Sequence, residues 1–273
     1  AGETDRTGRR RPVGYAGAVD GQGQALPVQV VGDALWVETP VPSCGWMTLR
    51  PGPSALPTGD TVHVTERSLE NGLLRVVFDD RGEITSIYDK ESGRELAAGP
   101  CNRFKMYKDV TTQFDAWDID SMYAQMPVTL PEPVQIEVLA AGPLVARLRL
   151  TRKLHHSRLT QVISLRRGSR RVDFETEVDW QESHKLLKVA FPVNIHAHEA
   201  IHEIQLGHIR RPNHYSRSYD ADRFEVANHK WSALAEENRG FAVLNDCKYG
   251  LNVLGNSINL TLLRAPVAPD QTA

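Results

Sequence analysis

The run Arg171–Trp180 constrains this chain more than any other stretch. Val172, Phe174, Thr176, Val178 and Trp180 fall on one side of an extended backbone, and Arg171, Asp173, Glu175, Glu177 and Asp179 on the other. Such a period of two cannot serve a helix, whose faces repeat every three to four residues. It recurs where Leu144, Ala146, Leu148 and Leu150 alternate with Val145, Arg147, Arg149 and Thr151. No segment holds a helical period for more than a few turns. Turn signals at Asn71-Gly72, Asp80-Arg81-Gly82, Ser92-Gly93 and Gly168-Ser169 separate apolar runs at hairpin spacing. The expected fold class is therefore all-β and antiparallel. Sheets of this extent must stack to cover their apolar faces, which implies a large two-sheet sandwich.

In chain order, Ala1–Gly14 has no period and reads as a flexible linker. Residues 15–60 form a small β segment, with a hairpin of Leu26–Val31 and Ala34–Glu38 across Gly32-Asp33, a short strand at Gly45–Leu49 and a connector at Pro51–Gly59. Residues 61–273 form the large domain. Within it, Leu186–Asn194 is expected to be buried on both faces. Asp109–Tyr123 lacks a period, and Arg210–Asp222 reads as a polar loop. Phe241–Leu244 reads as a buried strand that delivers Asn245-Asp246-Cys247-Lys248-Tyr249-Gly250 at its end.

A net charge of −2 excludes the basic footprint of a general nucleic-acid binder. Three cysteines, scattered and odd in number, fit a reducing compartment better than a disulfide framework. No apolar run reaches the length of a membrane span, and no signal-peptide pattern opens the chain. Cytoplasmic residence is the expectation. The first residue is not Met, and the polar opening suggests a piece of something longer.

Three clusters have chemical potential. Asp115, Asp118 and Asp120 surround Trp117, and carboxylates with an indole suit a sugar's hydroxyls and its apolar face. The alternative is a solvated acidic loop. His196 and His198, with His202 beyond, could chelate a metal on one strand face, but ordinary strand and loop histidines are the stronger reading. His196 or His198 with Glu199 or Glu203 is also the one candidate acid–base set for a mutarotase-like epimerase. Cys247 beside Lys248 could be an activated thiol; a buried inert one is favoured.

Long ordered stretches resemble the glycoside hydrolase family 38 alpha-mannosidases, in particular their cytosolic and bacterial branch. They are Pro27-Val28-Gln29-Val30, Gly45-Trp46-Met47-Thr48, Leu69–Glu95, Phe114-Asp115-Ala116-Trp117-Asp118-Ile119, His229-Lys230-Trp231, Gly240–Gly250, and Leu262-Leu263-Arg264-Ala265-Pro266 with Pro269-Asp270. The resemblance covers Val19 to Asp270 and concerns only the family's C-terminal β region. It implies a galactose-mutarotase-like super-sandwich preceded by a small β-sandwich segment. It also implies that the family's zinc ion and nucleophile belong to an N-terminal catalytic domain, the expected partner of this chain. No catalytic residue, metal ligand or cofactor is assigned here. By position, the resemblance makes Trp117 and Lys248 the candidates to line the rim of a mannoside site, with Asp115, Asp118 and Asp246 beside them. A stand-alone carbohydrate-binding module is the alternative. An exposed apolar patch where the catalytic half docks is expected, and it would favour self-association.

Overall fold

The computed structural model describes residues 4–5, 8–10, 16–131 and 133–267. The elements are strands, with two short 3-10 helices, Ser121–Gln125 and Ser218–Arg223, among the described residues. Antiparallel pairing dominates; the strand Leu26–Val31 also takes Ser54–Ala55 as a parallel neighbour. The chain forms two compact units, each assembled from separated stretches. The first comprises Ala1–Val76, Gln135–Thr151 and Thr160–Glu177, and the second comprises Val77–Val134, Arg152–Leu159 and Val178–Ala273.

In the first unit, Leu26–Val31 and Ala34–Val37 form the expected hairpin, closing with Val31 opposite Ala34. Ala18, Leu26, Leu35 and Val37 make a small core with Val28 against it. Gln29 is buried, and its amide is fully employed: the oxygen accepts from the amides of Leu144 and Val145, both at 2.8 Å, while the nitrogen donates to the Val145 carbonyl at 2.9 Å. The stretch expected to be linker holds two short strands among its described residues. Thr4–Asp5 pairs with Thr39–Pro40, and Gly8–Arg10 pairs with 34–36. Edge pairing uses backbone groups alone, so it leaves no apolar period to read.

Val134–Ala141, Val145–Leu154, Ser157–Arg166 and Val172–Asp179 follow one another in a four-stranded sheet. Leu148, Leu150, Ile163 and Leu165 are buried there. Val172–Asp179, the strand with the clearest alternation, lies at the sheet edge, and its apolar side is only half-buried where it is buried at all. Two of its acids form ion pairs: Glu175 takes Arg147 at 2.9 Å, and Asp173 takes Arg166 at 3.5 Å.

In the second unit a six-stranded sheet runs in the order Pro127–Val128, Arg103–Lys108, Lys185–Pro192, Ser257–Arg264, Gly250–Leu254, Val226–Ala227. The strand Lys185–Pro192 is buried along almost its whole length, as its unalternating sequence implies. A second sheet is ordered Gly207–Pro212, Glu199–Ile204, Trp231–Ala235, Gly240–Leu244. The two sheets meet at Phe191 and Phe241, whose ring centroids are 6.2 Å apart.

Several expectations need correction. Gly240–Leu244 is an edge strand with alternating exposure, and Leu244 is 62% exposed. An all-apolar run does not reveal which of its alternate residues face solvent. Gly45–Leu49 is not a strand; the pairing falls at Arg50–Pro51, where the expected connector begins. The expected polar loop Arg210–Asp222 begins within strand Gly207–Pro212 and ends within the helix Ser218–Arg223.

Candidate functional site

The acidic loop after strand Arg103–Lys108 is organised by one residue, Arg264. Its Nε donates to Asp109 Oδ2 at 2.7 Å and its Nη2 to Oδ1 at 3.2 Å. The same Nη2 donates to the backbone carbonyls of Asp115 and Asp118, at 3.2 and 2.6 Å. The Asp115 carboxylate accepts from the Val267 amide at 2.8 Å. Arg264-Ala265-Pro266-Val267 thus clamps the loop from one end to the other. Guanidinium suits this because its planar fork can bind a carboxylate and two carbonyls together.

The clamp leaves two aromatic rings in solvent. Phe114 is 64% exposed and Trp117 is 77% exposed, with centroids 6.2 Å apart. The amides of Trp117 and Asp118 both donate to the Phe114 carbonyl at 2.8 Å, closing a tight turn. Phe114 has a φ of 56°, a left-handed conformation that costs a bulky residue roughly 1–2 kcal/mol. Exposed rings on strained, clamped backbone suit recognition better than packing. Asp118 accepts from the Ile119 amide, and Asp120 caps the helix Ser121–Gln125 through the Met122 amide. Of the three acids, Asp120 is thereby structural.

Asp246 and Lys248 lie on a second turn with its own anchors. Asn245 donates to the His229 carbonyl at 2.8 Å and accepts from the Lys248 amide at 2.6 Å, while the Lys230 ammonium donates to the Asp246 carbonyl at 2.8 Å. His229 and Tyr249 stack edge-on at 5.4 Å. Cys247 is exposed, not buried. Its thiol is bonded to the Asp246 carboxylate, which holds the thiol's pKa up and the acid's down. An activated thiolate is therefore disfavoured.

Sequence reading missed a buried polar network on the six-stranded sheet. The Lys188 ammonium is paired with Glu225 and donates to Thr261 Oγ1 at 2.8 Å. Tyr123 donates to Glu225 at 2.6 Å, and Thr261 donates to the other Glu225 oxygen at 3.2 Å. Burial pushes the Lys188 pKa down and the Tyr123 pKa up, and Glu225 raises both. The visible signal was a lone lysine inside the apolar run Leu186-Leu187-Lys188-Val189-Ala190, since a charge so placed must be paired.

The histidines do not converge. His202 is buried with Nδ1 at 2.9 Å from Ser232 Oγ, whereas His196 offers its backbone amide to Glu236. Glu203 accepts from the Lys230 amide. No group of three His, Cys, Asp or Glu suited to a metal occurs among the described residues.

The Glycosyl hydrolases family 38 C-terminal domain matches residues 69–272. This chain belongs to that family. Human alpha-mannosidase 2C1 is 42% identical over 247 residues, which are 85% of this chain and 24% of that protein. Alpha-mannosidase G of Dictyostelium discoideum is 39% identical over 216 residues, 75% of this chain and 19% of its own length. The alpha-mannosidase of Saccharomyces cerevisiae is 36% identical over 222 residues, 75% of this chain and 20% of its own length. The family 38 chain thus spans a quarter or less of the length of these relatives. Its fold is that of an alpha-mannosidase from Enterococcus faecalis V583, with a TM-score of 0.72 at 15% identity over 97% of this chain and 38% of that one. As a family 38 C-terminal domain, it is all-β with no helix long and apolar enough to cross a membrane among the described residues.

Proposed function

We infer that this chain is the β region of an alpha-mannosidase, bracing an N-terminal catalytic domain and completing the rim of its mannoside site. The catalytic domain supplies the zinc ion and the nucleophile, and this chain supplies neither. The Phe114–Trp117 turn carries the reading. Its rings are exposed, its backbone is strained, and Arg264 holds it in one place. An indole so placed stacks on the apolar face of a pyranose, while Asp115 and Asp118 stand beside it to accept from hydroxyls. Asp246 and Lys248 are the corresponding polar pair on the second turn. The relatives' names supply the substrate class, alpha-mannosides, and the three free cysteines support a cytoplasmic setting.

The test is Trp117→Ala in the longer mannosidase that carries this sequence. Loss of a rim contact should raise KM for a chromogenic alpha-mannoside about tenfold, equivalent to about 1.4 kcal/mol, with kcat changed much less. Unchanged kinetics would remove Trp117 from the site. The exposed indole also suits a carbohydrate-binding module. That reading requires the 273-residue chain to bind mannose by itself and to lose binding on the same substitution.

A further inference from the structure

The second unit contains a cleft of about 400 Å³ that none of the residues above explains. Arg81, Glu83, Arg103, Phe104, Lys105 and Arg152 are among the residues lining it. Four of these six are cationic and one is a carboxylate. Glu83 is buried, and its partner is Arg103 at 3.6 Å. Lys105 donates to Asn259 at a long 3.4 Å.

Arg152 is the decisive residue. Only 7% of it is exposed. Its guanidinium lies over the Phe104 ring at 5.1 Å and donates one bond to the Arg81 carbonyl, while its buried Nε has no partner. A buried guanidinium is expensive unless an anion or several acceptors meet it. A backbone carbonyl and a ring face are weak compensation for a full charge, and an unsatisfied buried donor calls for a missing partner. Burial accordingly lowers the Arg152 pKa, with Glu83 and Asp79 acting in the opposite direction. Those two acids do not balance Arg103, Lys105 and Arg152.

We propose that this cleft binds a small oxyanion, the phosphate of a sugar-sized molecule or free phosphate, against Arg152, Arg103 and Lys105. The volume falls in the range of small-molecule sites, and arginine is the residue best matched to phosphate oxygens. The proposal goes beyond the mannoside rim and does not depend on it, because it uses none of those residues.

Calorimetric titration of the 273-residue protein at 0.15 M salt tests it, with a hexose 6-phosphate, inorganic phosphate and the neutral hexose as probes. Saturable binding of one phosphate-bearing probe per chain is expected, with the neutral hexose at least tenfold weaker. Tighter binding of the hexose phosphate would identify a sugar phosphate as the ligand, and equal binding would identify the anion alone. Arg152→Gln should abolish binding. Arg103, whose side chain is 48% exposed, gives a second variant, whose folding is checked by its unfolding midpoint, and Arg103→Gln should weaken binding at least tenfold. No binding by either phosphate probe, binding unchanged in Arg103→Gln, or equal binding of the neutral hexose would each overturn the proposal.

Discussion

Arg264 shows how much one side chain can determine. It is paired with Asp109, whose side chain is only 2% exposed, and it also collects two carbonyls from the loop that carries Trp117. Replacing one member of such a pair strands the other charge in the interior, which costs about 3 kcal/mol or more. Arg264→Gln should lower unfolding stability by about 3 kcal/mol in a urea titration. It should also shift Trp117 fluorescence in the native baseline, because the turn loses its clamp. A loss under about 1 kcal/mol, the range of an exposed pair, would mean that the clamp is dispensable. The loop's acids and indole could be read from sequence because their types are unusual together. Arg264 could be recognised only as part of a family motif, because its partner Asp109 lies far back along the chain.

At the scale of elements, the pair Glu199–Ile204 and Trp231–Ala235 sets His202 opposite Ser232. The imidazole is buried against that hydroxyl, and burial, aided by Arg211, lowers its pKa from 6.5 to about 4. The native state therefore keeps His202 neutral where the unfolded chain would protonate it. Above pH 6.5 both states are neutral and the native state bears no penalty. As pH falls toward 4 the unfolded state gains the proton first, and stability drops by about 3 kcal/mol in total. Denaturation midpoints measured from pH 7 to pH 4 should show this fall, and His202→Gln should flatten it. An equally steep fall in the variant would assign the effect to carboxylates elsewhere. Elements themselves were legible to the extent that their burial was one-sided or complete. The hairpin at Gly32-Asp33 and the buried strand Lys185–Pro192 follow from pattern. Gly240–Leu244 does not, because its place at a sheet edge is set by which strands pair, and pairing leaves no mark on an all-apolar run.

For the molecule as a whole, the informative feature is surface that a self-sufficient protein would cover. Phe114, Trp117 and Met122 are exposed within a few residues of one another, at 64%, 77% and 54%. The chain spans 24% of human alpha-mannosidase 2C1, so in such a protein most of the polypeptide lies elsewhere and can face this surface. If it does, the 273-residue chain alone should hydrolyse no chromogenic alpha-mannoside, with or without zinc, while the longer mannosidase does. The uncovered rings should also make the chain associate as concentration rises, seen as an increasing weight-average mass in sedimentation equilibrium. Phe114→Ser with Trp117→Ser should restore a monomer, because both rings stand in solvent and their loss removes no core contact. Zinc-dependent hydrolysis by the chain alone would overturn the accessory role and return attention to His196, His198 and His202. Concentration-independent mass would instead leave that role standing, and would remove self-association through these rings.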